Sequence, residues 1–439
     1  MIFITKKFFE ERKMDIFDII NLIIGAAFFI FYSYQFFYIP AAFFLKEPKH
    51  MEEKSHRFAV LICARNEEDV IAQLIESIKN QTYERSKIRI FVMADNCTDS
   101  TARVARNSGA KVYIRNDSER KGKGFALEAL FSHISEDYPR NYFDGFFVFD
   151  ADNILDRRYI EEMNRSFCDG FEIITGYRNS KNYGENWISA GYSLWFLRES
   201  RFLNEARFLL GNSCAVSGTG FFFSRRIAEK FGGWPFHLLT EDIEFTAAAV
   251  LSNEKIGYCK NAVLYDEQPV LFSQSWNQRL RWAKGYLQVF EKHGKNLLKK
   301  AAEGDFSAFD MASAIMPAAA LTALSVVVNT FRVIVAVAIG ESILPGVFAF
   351  GESLLGIYST MFFIGFVTLL SEWKKIRAKT FEKIFYLFTF PVFMMTYLPV
   401  SAAAVFMKVE WKPIKHKAAS DAEKFRFEEE KDERKKKFA

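Results

Sequence analysis

Four long apolar runs frame this chain, at residues 16–38, 311–340, 346–370 and 384–407, and between the first two lies a middle of mixed polarity. Each run reaches the roughly 20 residues that a bilayer core requires. Backbone polar groups find no partner in lipid, so such runs cross it only as helices. The chain therefore reads as a membrane protein carrying one large domain outside the bilayer. The first run is longer than a secretory apolar segment and no small-residue cleavage site closes it, which predicts a retained anchor. Residues 341–345 are acidic and 374–379 (KKIRAK) are basic, so the former belong outside and the latter on the cytoplasmic side. Parity stays open, and a re-entrant segment marked by Pro391, Pro399 or Arg332 would settle it.

The net charge of +5 is spread over the chain rather than striped, which excludes nucleic acid as a partner and suits an anionic nucleotide or a membrane surface. Five cysteines fall in the middle with no CxxC pair, so neither a disulfide framework nor a zinc cage is indicated, and a reduced cytoplasmic setting fits. The divisions expected are an anchor at 1–45, a cytoplasmic domain at 46–270, an interface helix at 271–305, about three spans within 306–410, and a charged tail at 411–439.

After residue 57 strands alternate with helices. Apolar runs at 58–63, 88–95, 111–115 and 144–150 read as strands, and 68–79, 100–107 and 124–134 as helices between them. That alternation predicts an α/β domain with a parallel, doubly wound sheet. Ligands of such sheets sit beyond the carboxyl ends of the strands, where Asp95 and Asp150 fall. Over 274–298, Trp276, Leu280, Ala283, Leu287 and Phe290 recur at spacings of three and four with basic residues between them. This predicts an amphipathic helix lying along a membrane interface.

Several stations carry chemistry. Asp150 and Asp152, two apart at a strand end, suit a hard divalent ion that keeps its other positions for phosphate oxygens and water. Asp95 suits the base or ribose of a nucleotide, or a helix cap. Lys121, Gly122, Lys123 and Gly124 open a helix with glycines and cations, as phosphate sites do. Thr240, Glu241 and Asp242 open another helix; they serve equally as N-cap chemistry and as a general base at Asp242. Gln278, Arg281 and Trp282 join a diphosphate-binding guanidinium to a flat aromatic face. A snorkelling arginine and an interfacial tryptophan would use the same residue types.

Taken together, ICARNEE (62–68), MADN (93–96), KGKG (121–124), FDADN (149–153), SGTG (217–220), LTED (239–242) and QRLRW (278–282) resemble the family 2 inverting glycosyltransferases of the GT-A fold. The likeness is strongest to the membrane-embedded processive branch that includes cellulose, hyaluronan, chitin and poly-N-acetylglucosamine synthases. The resemblance implies that Asp95 contacts uridine and Lys123 the nucleotide. It implies that Asp150 and Asp152 meet the UDP with Mg2+ or Mn2+, and that Asp242 is the catalytic base. Gly218, Thr219 and Gly220 would lie near the acceptor sugar, and Glu241, Gln278, Arg281 and Trp282 at the donor diphosphate and acceptor end.

The expectation is a plasma-membrane, multi-pass enzyme that moves a sugar from UDP-glucose or UDP-N-acetylglucosamine to a growing β-linked polysaccharide and aids its export. A second copy or an export partner would complete the path. Single addition to a membrane lipid is the alternative. A scaffold with a degenerate transferase domain is disfavoured by the intact Asp150, Asp152 and Asp242.

Overall fold

The computed structural model describes residues 15–46, 54–316, 318–340 and 342–409. The expected tail at 411–439 lies outside them. Eight strands form one sheet: β1 (Phe58–Ala64), β2 (Ile88–Asp95), β3 (Lys111–Arg115), β4 (Gly145–Asp150), β5 (Ile154–Leu155), β6 (Ile173–Ser180), β7 (Phe221–Ser224) and β8 (Ile256–Asp266). Their spatial order is β3-β2-β1-β4-β7-β6-β8-β5. β3, β2, β1 and β4 are parallel, as the alternation predicts. Beyond β4 the sheet is mixed, because β7 pairs antiparallel with both β4 and β6 while β6 and β8 run parallel.

β1 and β4, at the middle of the sheet, are apolar and buried almost throughout because helices cover both faces. Alternate residues of β1 serve different cores. Ala59 and Leu61 face one, with Leu127 and Leu130 of the Lys123–Asp137 helix. Val60 and Ile62 face the other, with Ile71, Leu74 and Ile75 of the Ile71–Lys79 helix. The first of these cores does not stop at the domain. It continues into Leu369, Leu387 and Phe390 of the apolar helices near the end of the chain.

Among the described residues three helical stretches, Ile16–Phe44, Gly346–Ser371 and Thr380–Phe406, are long and apolar enough to cross a membrane. The apolar run at 311–340 departs from expectation. Its start belongs to a separate helix, Phe306–Ile315, and the next helix is Ala318–Ala338. The first packs into a soluble core with Val250, Val289 and Leu297, so hydropathy there reports burial in protein. Its Asp310, 1% exposed, accepts from Arg207 Nε and Nη2 at 2.7 and 2.8 Å and from the Tyr34 and Tyr38 hydroxyls. Arg332 is not isolated either: it pairs with Asp15 and Asp18 of the first apolar helix at 2.6 and 2.8 Å.

The expected amphipathic helix is a single unit of 31 residues, Phe272–Ala302. Its apolar stripe is covered by protein as well as by any interface. Leu280 packs with Val400 and Ala404, with Trp276, Ala283 and Leu287 beside them. Arg279, fully buried, donates to the Phe393 carbonyl at 3.3 Å and to Thr396 Oγ1 at 2.6 Å. That bond joins this helix to the last apolar region.

Candidate active site

The carboxyl ends of the parallel strands gather most of the expected residues. β1 lies between β2 and β4, with Cys63 in register with both Met93 and Asp150. Lys123, Asp95, Glu241 and Asp150 all lie close enough to the half-buried Cys63 thiol for their charges to act on it. Burial pushes that thiol up, and the three acids add to the effect. The five described cysteines are free.

Lys123 sits at the centre. Its Nζ donates to Asp150 Oδ1 at 2.5 Å and to the Gly218 carbonyl at 2.7 Å. The Gly218 amide in turn donates to Asp242 Oδ2 at 2.5 Å. Gly218 has a positive φ of 75°, which lets one residue present its carbonyl to the lysine and its amide to the acid. Thr219 Oγ1 accepts from the Asp150 amide at 2.9 Å. A hydrogen-bonded chain thus joins Asp242, Gly218, Lys123 and Asp150. Gly220, φ 66°, lies beneath it with its carbonyl on the Tyr159 hydroxyl. Gly124 is needed for packing, since a Cβ there would collide with the Phe236 carbonyl.

Glu241 and Asp242 open the Glu241–Leu251 helix, both buried. Thr240 occupies the N-cap position but makes no side-chain cap bond. Burial first, then the charge of Asp242, pushes the Glu241 carboxyl up to about 7. Burial raises Asp242 as well, while Lys123 and the Gly218 amide hold it back. Arg281 stabilises both carboxylates electrostatically and donates to the Leu239 carbonyl at 3.0 Å.

Asp95 ends β2 where the sequence places it, but Arg115 binds it at 2.6 Å and Asn96 Nδ2 at 3.0 Å. The helix that follows takes its bonds from Asp99, so Asp95 is not the cap. The DxD pair also departs from expectation. β4 ends at Asp150 and the chain turns at once, with the Asn153 amide on the Asp150 carbonyl at 3.1 Å. The two carboxylates therefore do not share one face of an extended strand. Asp150 reaches Lys123 and is 39% exposed, whereas Asp152 is buried and accepts from the Glu267 amide at 2.9 Å. Among the described residues no group of three or more His, Cys, Asp or Glu is placed to hold a metal ion.

A cavity of about 1170 Å3 opens on Asp150, Gly218 and Asp242 and runs between the apolar helices to Phe28, Met361 and Leu398. Gln278, Arg281 and Trp282 stand on its wall. Trp282 meets Tyr192 and Phe196 edge-on, with centroids 5.7 and 6.0 Å apart. Gln278 Oε1 and Thr240 Oγ1 are buried without a hydrogen-bond partner, and both residues line the cavity. Sequence reasoning missed Arg178, Arg198 and Glu199 on the same wall. Arg178, a cation near the end of the strand β6, was the legible signal.

The half-parallel sheet with this cluster at its carboxyl edge is the GT-A fold of a glycosyltransferase. Residues 56–285 match the family described as Glycosyltransferase like family 2, and the chain belongs to that family. It is 27% identical over 258 residues to a probable glycosyltransferase, YdaM, of Bacillus subtilis, covering 54% of this chain and 56% of that protein. It is 25% identical to a beta-monoglucosyldiacylglycerol synthase of Nostoc, over 62% of this chain and 59% of that one. It is 23% identical to a poly-beta-1,6-N-acetyl-D-glucosamine synthase of Staphylococcus aureus, over 56% of this chain and 58% of that one. The matches thus span under two thirds of these relatives' own lengths. In fold it is similar to the mannosyltransferase PcManGT of Pyrobaculum calidifontis, solved with GDP-Man and Mn2+. That likeness has a TM-score of 0.56 and 16% identity, over 89% of this chain and 99% of that one.

Proposed function

We propose that this glycosyltransferase moves a hexosyl group from a nucleoside diphosphate sugar to a hydroxyl of a membrane lipid, with inversion. The observation that carries the reading is the cavity from Asp242 into the apolar helices. Its far wall of Phe28, Met361 and Leu398 suits hydrocarbon chains, and its near end offers unpaired polar atoms at Gln278 and Thr240. This reverses the weighting suggested by sequence motifs, which favour a polysaccharide product. The polymer reading keeps one observation in its favour, the aromatic faces of Trp195 and Trp282 on the same wall.

In this mechanism Asp242 takes the proton of the acceptor hydroxyl as its oxygen bonds to the anomeric carbon. The bond from that carbon to the diphosphate breaks, and the nucleoside diphosphate leaves. Burial makes Asp242 a stronger base than an exposed carboxylate, and the Gly218 amide orients it. Lys123 and Arg281, whose charges both act on the acids, neutralise the charge that develops on the leaving group. Asp95 with its Arg115 partner provides the floor for the base and ribose of a uridine nucleotide. Asp150 and Asp152 are the hard oxygen donors that would hold Mg2+ or Mn2+ here, on leaving their separate contacts with Lys123 and the Glu267 amide. Such an ion would add positive charge at the diphosphate. Glu241 beside Asp242 and the Gly218–Gly220 turn shape the acceptor end. The transferase domain is cytoplasmic in this reading.

Membranes containing the protein, incubated with radiolabelled UDP-glucose, UDP-N-acetylglucosamine or GDP-mannose, test it. Label extracted into chloroform–methanol is the expected outcome. Label retained in a high-mass product cut by glycan hydrolases would transfer the assignment to a polysaccharide synthase.

A further inference from the structure

Five arginines line the cavity; besides Arg281 near the acids and Arg332, which pairs with Asp15 and Asp18, these are Arg178, Arg198 and Arg207. Of these last three, two have buried carboxylate partners. Arg178 pairs with Asp266 at 2.5 Å and Arg207 with Asp310 at 2.7 Å. Arg198 differs. It is 9% exposed, donates to the neutral Gln35 Oε1 at 2.7 Å and lies 4.8 Å over the Trp195 ring. Among the described residues no carboxylate forms an ion pair with it. Glu199, its chain neighbour, is coupled chiefly to Arg178, and burial raises its carboxyl toward the neutral form.

Burial and the nearby charge of Arg207 push the Arg198 guanidinium down to about 10, so the folded chain holds this cation at a cost. Glu199 and Tyr34 offset only part of this. A buried charge with no carboxylate in ion-pair contact is destabilising, and a cavity wall is where a ligand can supply one. Two features fix the group in place. The Trp195 ring lies 4.8 Å from its central carbon, and Gln35 from the Gln35–Phe44 helix holds one nitrogen. Arg198 also closes the Trp187–Arg198 helix where a π-helix begins at Glu199–Asn204, a distortion found mostly at functional sites. Its neighbour Gln35 belongs to the first apolar stretch, so Arg198 faces the membrane side of the cavity, while Lys123 and Arg281 serve the acids.

We infer that Arg198 is the counter-charge for a phosphoryl group on the acceptor: the lipid is anionic, its phosphate on Arg198, its chains among the apolar helices and its hydroxyl at Asp242. This rests on the lipid-acceptor reading and narrows it. A guanidinium meets a phosphate through two parallel bonds, which would orient the headgroup as well as attract it. Arg198 is thus a positioning residue for the acceptor.

The test uses the full chain in dodecylmaltoside micelles and three probes: dioctanoyl phosphatidylglycerol, dioctanoylglycerol and glycerol 1-phosphate. Binding is read by tryptophan fluorescence, since the Trp195 ring lies against the arginine. The wild type should bind the phospholipid about tenfold or more tighter than dioctanoylglycerol, as a charge-assisted bond warrants, and the soluble phosphate weakly. Arg198→Gln should remove that preference while nucleotide binding persists, and Arg198→Lys should keep part of it. Equal binding of the two lipids by the wild type overturns the phosphoryl assignment alone, and this comparison stands even where a variant fails to fold. Binding of glycerol 1-phosphate as tightly as the phospholipid overturns the lipid source. Binding of neither lipid overturns the acceptor reading itself.

Discussion

Asp242 and Glu241 are adjacent, buried and both raised, yet their surroundings separate their tasks. Asp242 holds the Gly218 amide, whereas Glu241 is shaped mainly by burial and by Asp242 itself. Asp242→Asn should leave nucleotide binding near wild type and lower turnover by roughly a thousandfold or more, in line with general-base loss combined with a misplaced acceptor. Turnover within a fewfold of wild type would remove Asp242 from the mechanism. Glu241 gives a pH test. Its folded proton affinity exceeds its unfolded one, so the folded state holds the extra proton between about 4.5 and 7. Stability attributable to Glu241 is therefore present below 4.5 and lost as pH rises through 7. Glu241→Gln should flatten melting temperature against pH across that window, and an unchanged slope would place the proton elsewhere.

Two element-level contacts hold the site in position. The Phe306–Ile315 helix is locked by Asp310, which meets Arg207 from the transferase domain and Tyr34 and Tyr38 from the first apolar stretch. Asp310→Asn would strand a buried guanidinium, costing about 3–5 kcal/mol. Thermal unfolding in detergent should show that loss, while a shift of less than a degree would mark the network as dispensable. The Phe272–Ala302 helix comes so close to the site that a Cβ on Gly285 would lie 2.5 Å from Thr240 Cγ2. Gly285→Ala should push this helix from the Glu241–Asp242 turn, costing about 1–3 kcal/mol and lowering turnover more than donor affinity. Equal activity with unchanged melting would show that the contact is slack.

At the scale of the molecule, the transferase domain and the apolar helices share a core. Phe390, fully buried, joins the cluster that holds Leu194 and Leu197, and Gly191 lets Phe393 approach the Trp187–Arg198 helix. Phe390→Ala should lower the unfolding temperature of domain and helices together, with a cost of about 3–5 kcal/mol. Two separate transitions, one unmoved, would show independent units.

Much of this was legible in residue order. The parallel strands follow from apolar runs between amphipathic helices, and Asp95, Asp150 and Asp242 follow from their places after strands or at a helix start, because local periodicity and chain direction decide both. Three-dimensional packing decided the rest. Hydropathy could not separate a buried soluble helix at 306–315 from a membrane span, since both remove apolar side chains from water. Neither could spacing show that Asp150 and Asp152 diverge at a turn, nor that Arg178 and Arg207 find carboxylates 88 and 103 residues away while Arg198 forms no ion pair among the described residues. Ion pairing across such separations depends on how elements are stacked, and only the assembled core brings those charges together.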